Sequence, residues 1–135
     1  MLVKLLYVSE AVRPPTDTDL RVLLSASLIR NRRLDVTGML AFAGKHFVQV
    51  LEGREVAVAE VMRRVAKNPL HCELRILQRE QVTRRQFGSW SMGFVTRDDL
   101  SDSLAQLHAL NDTDGRCMAE LFRCFDAEQC WPLSA

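Results

Sequence analysis

The stretch that most constrains this 135-residue chain runs from Asn31 to Gly53. Two runs of strand-forming residues, Thr37 to Ala43 and His46 to Glu52, flank Gly44-Lys45, the pattern of a two-residue hairpin. Side chains alternate across a strand, so Phe47, Gln49 and Leu51 share one face and Val48, Val50 and Glu52 share the other. Gln49 therefore stands between two large apolar neighbours on a face that should be buried. A buried primary amide left without a partner costs about 1–3 kcal/mol. Some polar group must meet it, and the identity of that group is the functional question.

The residues ahead of the hairpin supply candidates. Leu2 to Ser9 reads as a strand that is largely apolar on both faces, which suits a central position in a sheet. Tyr7 projects inward from it, and a buried phenol normally finds a hydrogen-bond partner. Pro14-Pro15 marks a loop, Asp17 to Arg32 has helical spacing, and Thr16, Asp17 or Thr18 can cap that helix. Leu20, Leu24, Ser27 and Asn31 form one ridge of it, apolar at the start and ending in a hydroxyl and an amide. Taken singly, Tyr7 reads as a core tyrosine tied to a backbone carbonyl and Asn31 as a fraying helix end or C-cap.

After the hairpin a second helix is predicted over Glu55 to Lys67, with Val58, Met62 and Val65 on one stripe and Asn68-Pro69 ending it. Glu73 to Val82 reads as a half-polar strand suited to a sheet edge or to a sheet with one wet face. Phe87 to Val95 gives a last strand, with Trp90, Met92 and Phe94 on one side. From Asp98 the pattern becomes helical, over Leu100 to Leu110 and again over Arg116 to Gln129. This order predicts an α+β ferredoxin-like βαββαββ sandwich: a mixed five-stranded sheet with two helices on one face, plus C-terminal helices. The division is a domain over 1–97 and a helical appendage over 98–135. The first and third strands are expected to be parallel neighbours, which sets Tyr7 beside Gln49.

Composition narrows the function by exclusion. Lys and Arg number 18 against 17 Asp and Glu, so no bulk charge draws the chain to nucleic acid or to acidic lipid. The arginine pairs Arg32-Arg33, Arg63-Arg64 and Arg84-Arg85 read as solvated faces. The apolar start is too short for a membrane span or a signal peptide, which points to the cytoplasm. The four cysteines lack metal-ligand spacing, so no metal is expected. A Ser–His–Asp or Cys–His arrangement, a carboxylate pair and a phosphate-binding glycine loop are all missing, so no enzyme is expected. What remains is a pocket between two helices above a sheet, offering amides and a phenol. An amide both donates and accepts, which suits the edge of a flat heterocycle.

Four segments in order, Leu-Leu-Tyr7-Val-Ser9, Ile-Arg30-Asn31 with Val-Thr-Gly-Met-Leu, His-Phe-Val-Gln49-Val-Leu-Glu-Gly and Phe-Gly-Ser-Trp90-Ser-Met92-Gly-Phe, resemble the BLUF domain, a blue-light sensor using FAD. The resemblance covers about residues 1 to 97 and implies the same sandwich fold with a non-covalently bound flavin between the helices. FAD is the implied cofactor, with FMN or riboflavin as substitutes. It further implies that Tyr7, Ser27, Arg30, Asn31, Gln49 and His71 bind the flavin. Light-driven electron and proton transfer from Tyr7 through Gln49 would rearrange the hydrogen bonds to it. Ser9, Trp90 and Met92 would relay the change to a downstream protein effector, with homo-oligomerisation common among such domains.

The match departs from the family in one place. The turn after the second helix commonly reads Asp-x-Arg-His, and here it is Asn68-Pro69-Leu70-His71. Weaker or less selective flavin binding is the expectation, and Leu70→Arg is expected to tighten it. The competing readings are a flavin-free ferredoxin-like interaction module or small enzyme, in which Tyr7, Asn31 and Gln49 satisfy one another, and, more remotely, a flavin reductase.

Overall fold

A computed structural model describes residues 1–88, 92–96 and 131–132. Strand β1 (Leu2–Ala11) leads into helix α1 (Asp17–Leu34); β2 (Thr37–Ala43) and β3 (His46–Arg54) form the hairpin; helix α2 (Glu55–Ala66) comes next, then β4 (His71–Val82), β5 (Gly93–Thr96) and the two-residue β6 (Trp131–Pro132). The sheet order is β4-β1-β3-β2-β5-β6. The ferredoxin-like sandwich is therefore present, with β5 parallel to β2 making the sheet mixed. The sheet has six strands where five were expected, because the short β6 pairs with β5. The expected C-terminal helices and Trp90 lie outside the described residues.

One expectation about direction is corrected. β1 and β3 are neighbours but antiparallel, in a register that sets Tyr7 opposite Gln49. The crossover through α1 makes β1 and β2 point the same way, and the hairpin then turns β3 back against both. Gly44 makes that reversal possible with a φ of 63°, a left-handed value that glycine adopts without steric cost. Gly38 answers a closer approach: a Cβ there would lie 2.0 Å from the Val50 carbonyl oxygen.

The helix caps explain where α1 sits. Thr16 accepts from the backbone N–H of Asp19 at 3.0 Å, and the Asp19 carboxylate accepts from that of Thr16 at 3.0 Å, a reciprocal capping box. Arg32 and Arg33 fall in the last turn, where cations oppose the helix dipole. Asp35 ends the helix in the left-handed conformation at φ 55°.

Two clusters of buried residues lie between the sheet and the helices. Leu5, Tyr7, Val36 and Leu51 pack with Ala57, Val58, Val61 and Val65 of α2. Ala11, Leu40, Phe47 and Met92 pack with Leu28 of α1, and Leu20, Leu23 and Leu24 lean on this cluster only half-buried. Gln49 stands between the two clusters, with Phe47 belonging to one and Leu51 to the other. The half-polar β4 is an edge strand, as its pattern suggested.

Candidate functional site

Where the two clusters part, a cleft opens between α1, α2 and the sheet. Tyr7, Leu40, Phe47 and Gln49 form its floor, Leu23, Ser27 and Arg30 one wall, and Arg64, Val65 and the turn Asn68 to His71 the other. The cleft has a volume of about 40 Å³. Its polar groups are a phenol, a hydroxyl, two amides, an imidazole and two guanidinium groups. Among the described residues that line it there is no carboxylate.

At the floor the Tyr7 hydroxyl donates to Gln49 Oε1 at 2.5 Å, both residues being 3% exposed. Burial pushes the Tyr7 phenol far above its ordinary pKa, because the phenolate would lose its water, and the positive charge of Arg30 only partly opposes this. The phenol is thus held neutral as a donor. Gln49 Nε2 points the other way, to the Met92 thioether at 3.8 Å. Sulfur is a weak acceptor, so one end of this amide is strongly held and the other is not.

His71 is fixed from two sides. Its Nε2 lies 2.6 Å from the Val65 carbonyl oxygen and its Nδ1 lies 2.7 Å from the Ser9 hydroxyl. A carbonyl only accepts, so Nε2 carries the hydrogen, and in the neutral ring Nδ1 accepts from Ser9. Fully buried Ser9 is thereby engaged with His71. Asn31 is fully buried on α1, one turn beyond Ser27, and is not among the residues that line the cleft. Arg30 lines it, half-buried, and its Nε is buried with no hydrogen-bond partner. Burial presses the Arg30 pKa below its ordinary value, Tyr7 acts against that, and nearby Arg64 adds to it. Two cations thus converge on a space that holds no acid of its own.

Arg64 also borders the cleft, although it is exposed on α2 and ion-paired with Glu60 at 3.5 Å, as the solvated reading of Arg63-Arg64 expects. Its spacing carried the signal: Arg64 is three residues after Val61 and next to Val65, both buried against the sheet. Asn68 and Leu70, which depart from the family pattern, also line the cleft. Asn68 Oδ1 accepts from the Leu70 backbone N–H at 2.9 Å and holds the turn in shape.

Glu52, three residues along β3 from Gln49, was also overlooked. Its carboxylate is fully buried and accepts the backbone N–H groups of Gln86 at 2.6 Å and Phe87 at 2.9 Å. Arg85 beside them donates to the Glu52 carbonyl oxygen at 3.2 Å and to Thr37 Oγ1 at 3.0 Å. β3 therefore holds the connection from β4 to β5 at two places, Glu52 at Gln86 and Phe87 and Gln49 at Met92.

The chain is thus a ferredoxin-like domain with a phenol–amide pair at the floor of an open cleft. The family model for sensors of blue light using FAD matches residues 2–93, and the chain belongs to this BLUF family. It superposes on BlrB, a BLUF protein in its dark state, with a TM-score of 0.79 and 35% identity, covering 94% of this chain and 96% of that one. It is 34% identical over 92 residues to the blue light- and temperature-regulated antirepressor BluF of Escherichia coli, covering 68% of this chain and 23% of that protein. A photoactivated adenylate cyclase subunit beta of Euglena gracilis is 30% identical over 113 residues, 78% of this chain. The chain spans only 13% of that subunit's length.

The residues present fit the flavin that the family uses. The buried Arg30 Nε without a hydrogen-bond partner, the half-buried leucines of α1 and an amide held at one end all mark a place prepared for a partly apolar, partly anionic guest.

Proposed function

We propose that the chain senses blue light by turning the Gln49 side chain, and that Met92 carries the result to β5. The observation that supports this most is the lopsided bonding of one amide, a phenol at 2.5 Å on its oxygen and a thioether at 3.8 Å on its nitrogen. Bound in the cleft, the flavin supplies light absorption and an electron-accepting ring. Arg30, Arg64, Asn68 and the buried amide of Asn31 would hold its polar parts, while Leu23, Leu40, Phe47 and Val65 would cover its apolar ones. Ser27 and His71 complete the walls.

Tyr7 is the chain's own reservoir of an electron and a proton. Its neutral phenol already donates to Gln49 Oε1, so a proton leaving Tyr7 meets the amide first. An amide that turns by half presents its NH2 to the phenol oxygen and its oxygen to the opposite side, exchanging donor for acceptor without moving the backbone. Met92 then loses the N–H that faced it. Met92 immediately precedes β5, which lies between β2 and β6, so a change there reaches the end of the sheet opposite β4. Ser9, through His71, braces the opposite wall, and Trp90 is the second proposed relay residue.

The output is signalling to a protein effector and not a reaction on a substrate, a reading supported by the match to a family of blue-light sensors. The segment 98–135 would serve as the cap or contact toward that effector. A cytoplasmic homo-oligomer is the assembly proposed; no helix among the described residues is long and apolar enough to cross a membrane. Illumination tests the whole. The purified protein should be yellow, and blue light should shift its flavin bands to the red, reversibly in the dark. A colourless protein that takes up no added flavin would return the reading to a flavin-free module.

A further inference from the structure

A row of side chains crosses three adjacent strands on the face of the sheet turned away from Tyr7 and Gln49. Lys4 of β1 and Thr37 of β2 stand opposite Glu52 of β3, one on each side of it. All three grip the connection that leads from β4 to β5. The Lys4 ammonium donates to Gln86 Oε1. The Glu52 carboxylate accepts the backbone N–H groups of Gln86 and Phe87 at 2.6 and 2.9 Å, and Thr37 Oγ1 accepts from Arg85 at 3.0 Å. Arg85 reaches on to the carboxylate of Asp35, the cap of α1, at 3.2 Å. Arg85, Gln86 and Phe87 are thus tied to β1, β2, β3 and the end of α1.

We infer that Glu52 is a positioning residue of the light switch: by fixing Gln86 and Phe87 it holds the chain that follows so that the Met92 thioether stays within reach of Gln49. The inference rests on the light-sensing reading and adds a residue to it. Met92 follows Phe87 by five residues, and the two ends of that short span are held very differently. Hydrogen bonds to a carboxylate are roughly twice as strong as neutral ones. At the other end Gln49 Nε2 offers Met92 a single weak contact at 3.8 Å. Such a contact does not by itself order a loose chain, because fixing each residue costs conformational entropy. With the chain already fixed at Phe87, most of that cost has been met before Met92 arrives.

The choice of an acid at position 52 fits this role. A fully buried carboxylate loses its hydration, which an apolar residue of similar size would not. An apolar residue would fill the space but could not hold two N–H groups. The consequence for the switch has a direction. Once the amide has turned, its return to the dark arrangement needs the thioether still in place. Loosening the grip at Glu52 lets Met92 drift, and the return slows.

The dark return of the flavin-loaded full chain after blue light, followed by absorption, tests this. In Glu52→Gln one of the two N–H groups faces a donor in place of an acceptor, and the return should slow by about threefold or more, the effect of weakening one hydrogen bond. Arg85→Gln leaves the carboxylate intact and loosens the same connection from its other ties, so it should slow the return too. Flavin affinity should be unchanged in both, since neither residue lines the cleft. Thr16→Ala removes the cap of α1 and destabilises the fold away from the connection, and should keep the wild-type rate. On a Met92→Leu background, Glu52→Gln should add nothing, because the sulfur it positions is gone. A return that is unchanged or faster in Glu52→Gln, or in Arg85→Gln where the first does not fold, would overturn the positioning role and leave the light-sensing reading standing. So would an equal slowing in Thr16→Ala, or a full further slowing on top of Met92→Leu. A wild type with no reversible red shift would overturn both.

Discussion

Two buried polar side chains three residues apart on β3 meet opposite fates. Glu52 is closed: each carboxylate oxygen accepts a backbone N–H, at 2.6 and 2.9 Å, and the group has nowhere better to turn. Gln49 is open: its oxygen is held at 2.5 Å, but its nitrogen meets only a thioether at 3.8 Å. Both are buried, so burial alone does not tell a structural group from a working one. What separates them is whether every donor and acceptor is already answered. A fully answered group fixes the backbone, whereas a half-answered one can exchange partners when chemistry beside it changes.

The contrast can be attacked first at its closed end. Glu52→Ala strands two backbone N–H groups, and at about 1–3 kcal/mol each the loss should be about 2–6 kcal/mol, read by urea unfolding. Glu52→Gln, which keeps one good acceptor, should lose clearly less. A cost near zero for the alanine variant would mean that the clamp is not structural.

Alkali probes the open end. Tyr7 is the chain's single tyrosine, so tyrosinate absorbance reports it alone. Its folded pKa lies above the ordinary 10.0, so above that pH the unfolded chain releases a proton that the folded one keeps. Stability should therefore fall as pH rises past about 10, by about 1.4 kcal/mol per unit for this group. Tyr7→Phe should show a shallower fall. Tyrosinate should appear only together with unfolding, and its appearance in the folded protein near the ordinary value would contradict the burial argument.

The smallest effect is expected at Met92. Met92→Leu conserves volume and removes only the weak sulfur acceptor, so stability should change by less than about 1.5 kcal/mol. The rate of return after illumination should change nonetheless. An unchanged rate would remove Met92 from the relay.

Much of this was legible in the sequence because it depends on short-range periods. The two-residue turn and the alternation of β3 place Gln49 between Phe47 and Leu51, and adjacency with β1 then brings Tyr7 to it. The direction of β1 against β3 was misjudged because direction is cumulative: one crossover and one hairpin must both be counted. Glu52 escaped notice for a different reason. Its partners lie 34 and 35 residues away and are backbone groups, which leave no mark on side-chain pattern. Arg64 reads as solvated and is exposed, and composition alone does not show that its side chain also borders the cleft. His71 was legible as a residue but not as a brace, because its ties to Ser9 and the Val65 carbonyl depend on how the turn at Asn68 folds.

The central claim is that the carboxamide at position 49 is the moving part. The light-minus-dark absorption spectrum of flavin-loaded Gln49→Leu measures this most directly. Leucine keeps the volume and the apolar neighbours but can neither accept from Tyr7 nor exchange donor for acceptor. The variant should remain yellow and show no reversible red shift, while the wild type shows one under the same light. A red shift of ordinary size and recovery in Gln49→Leu would contradict the account.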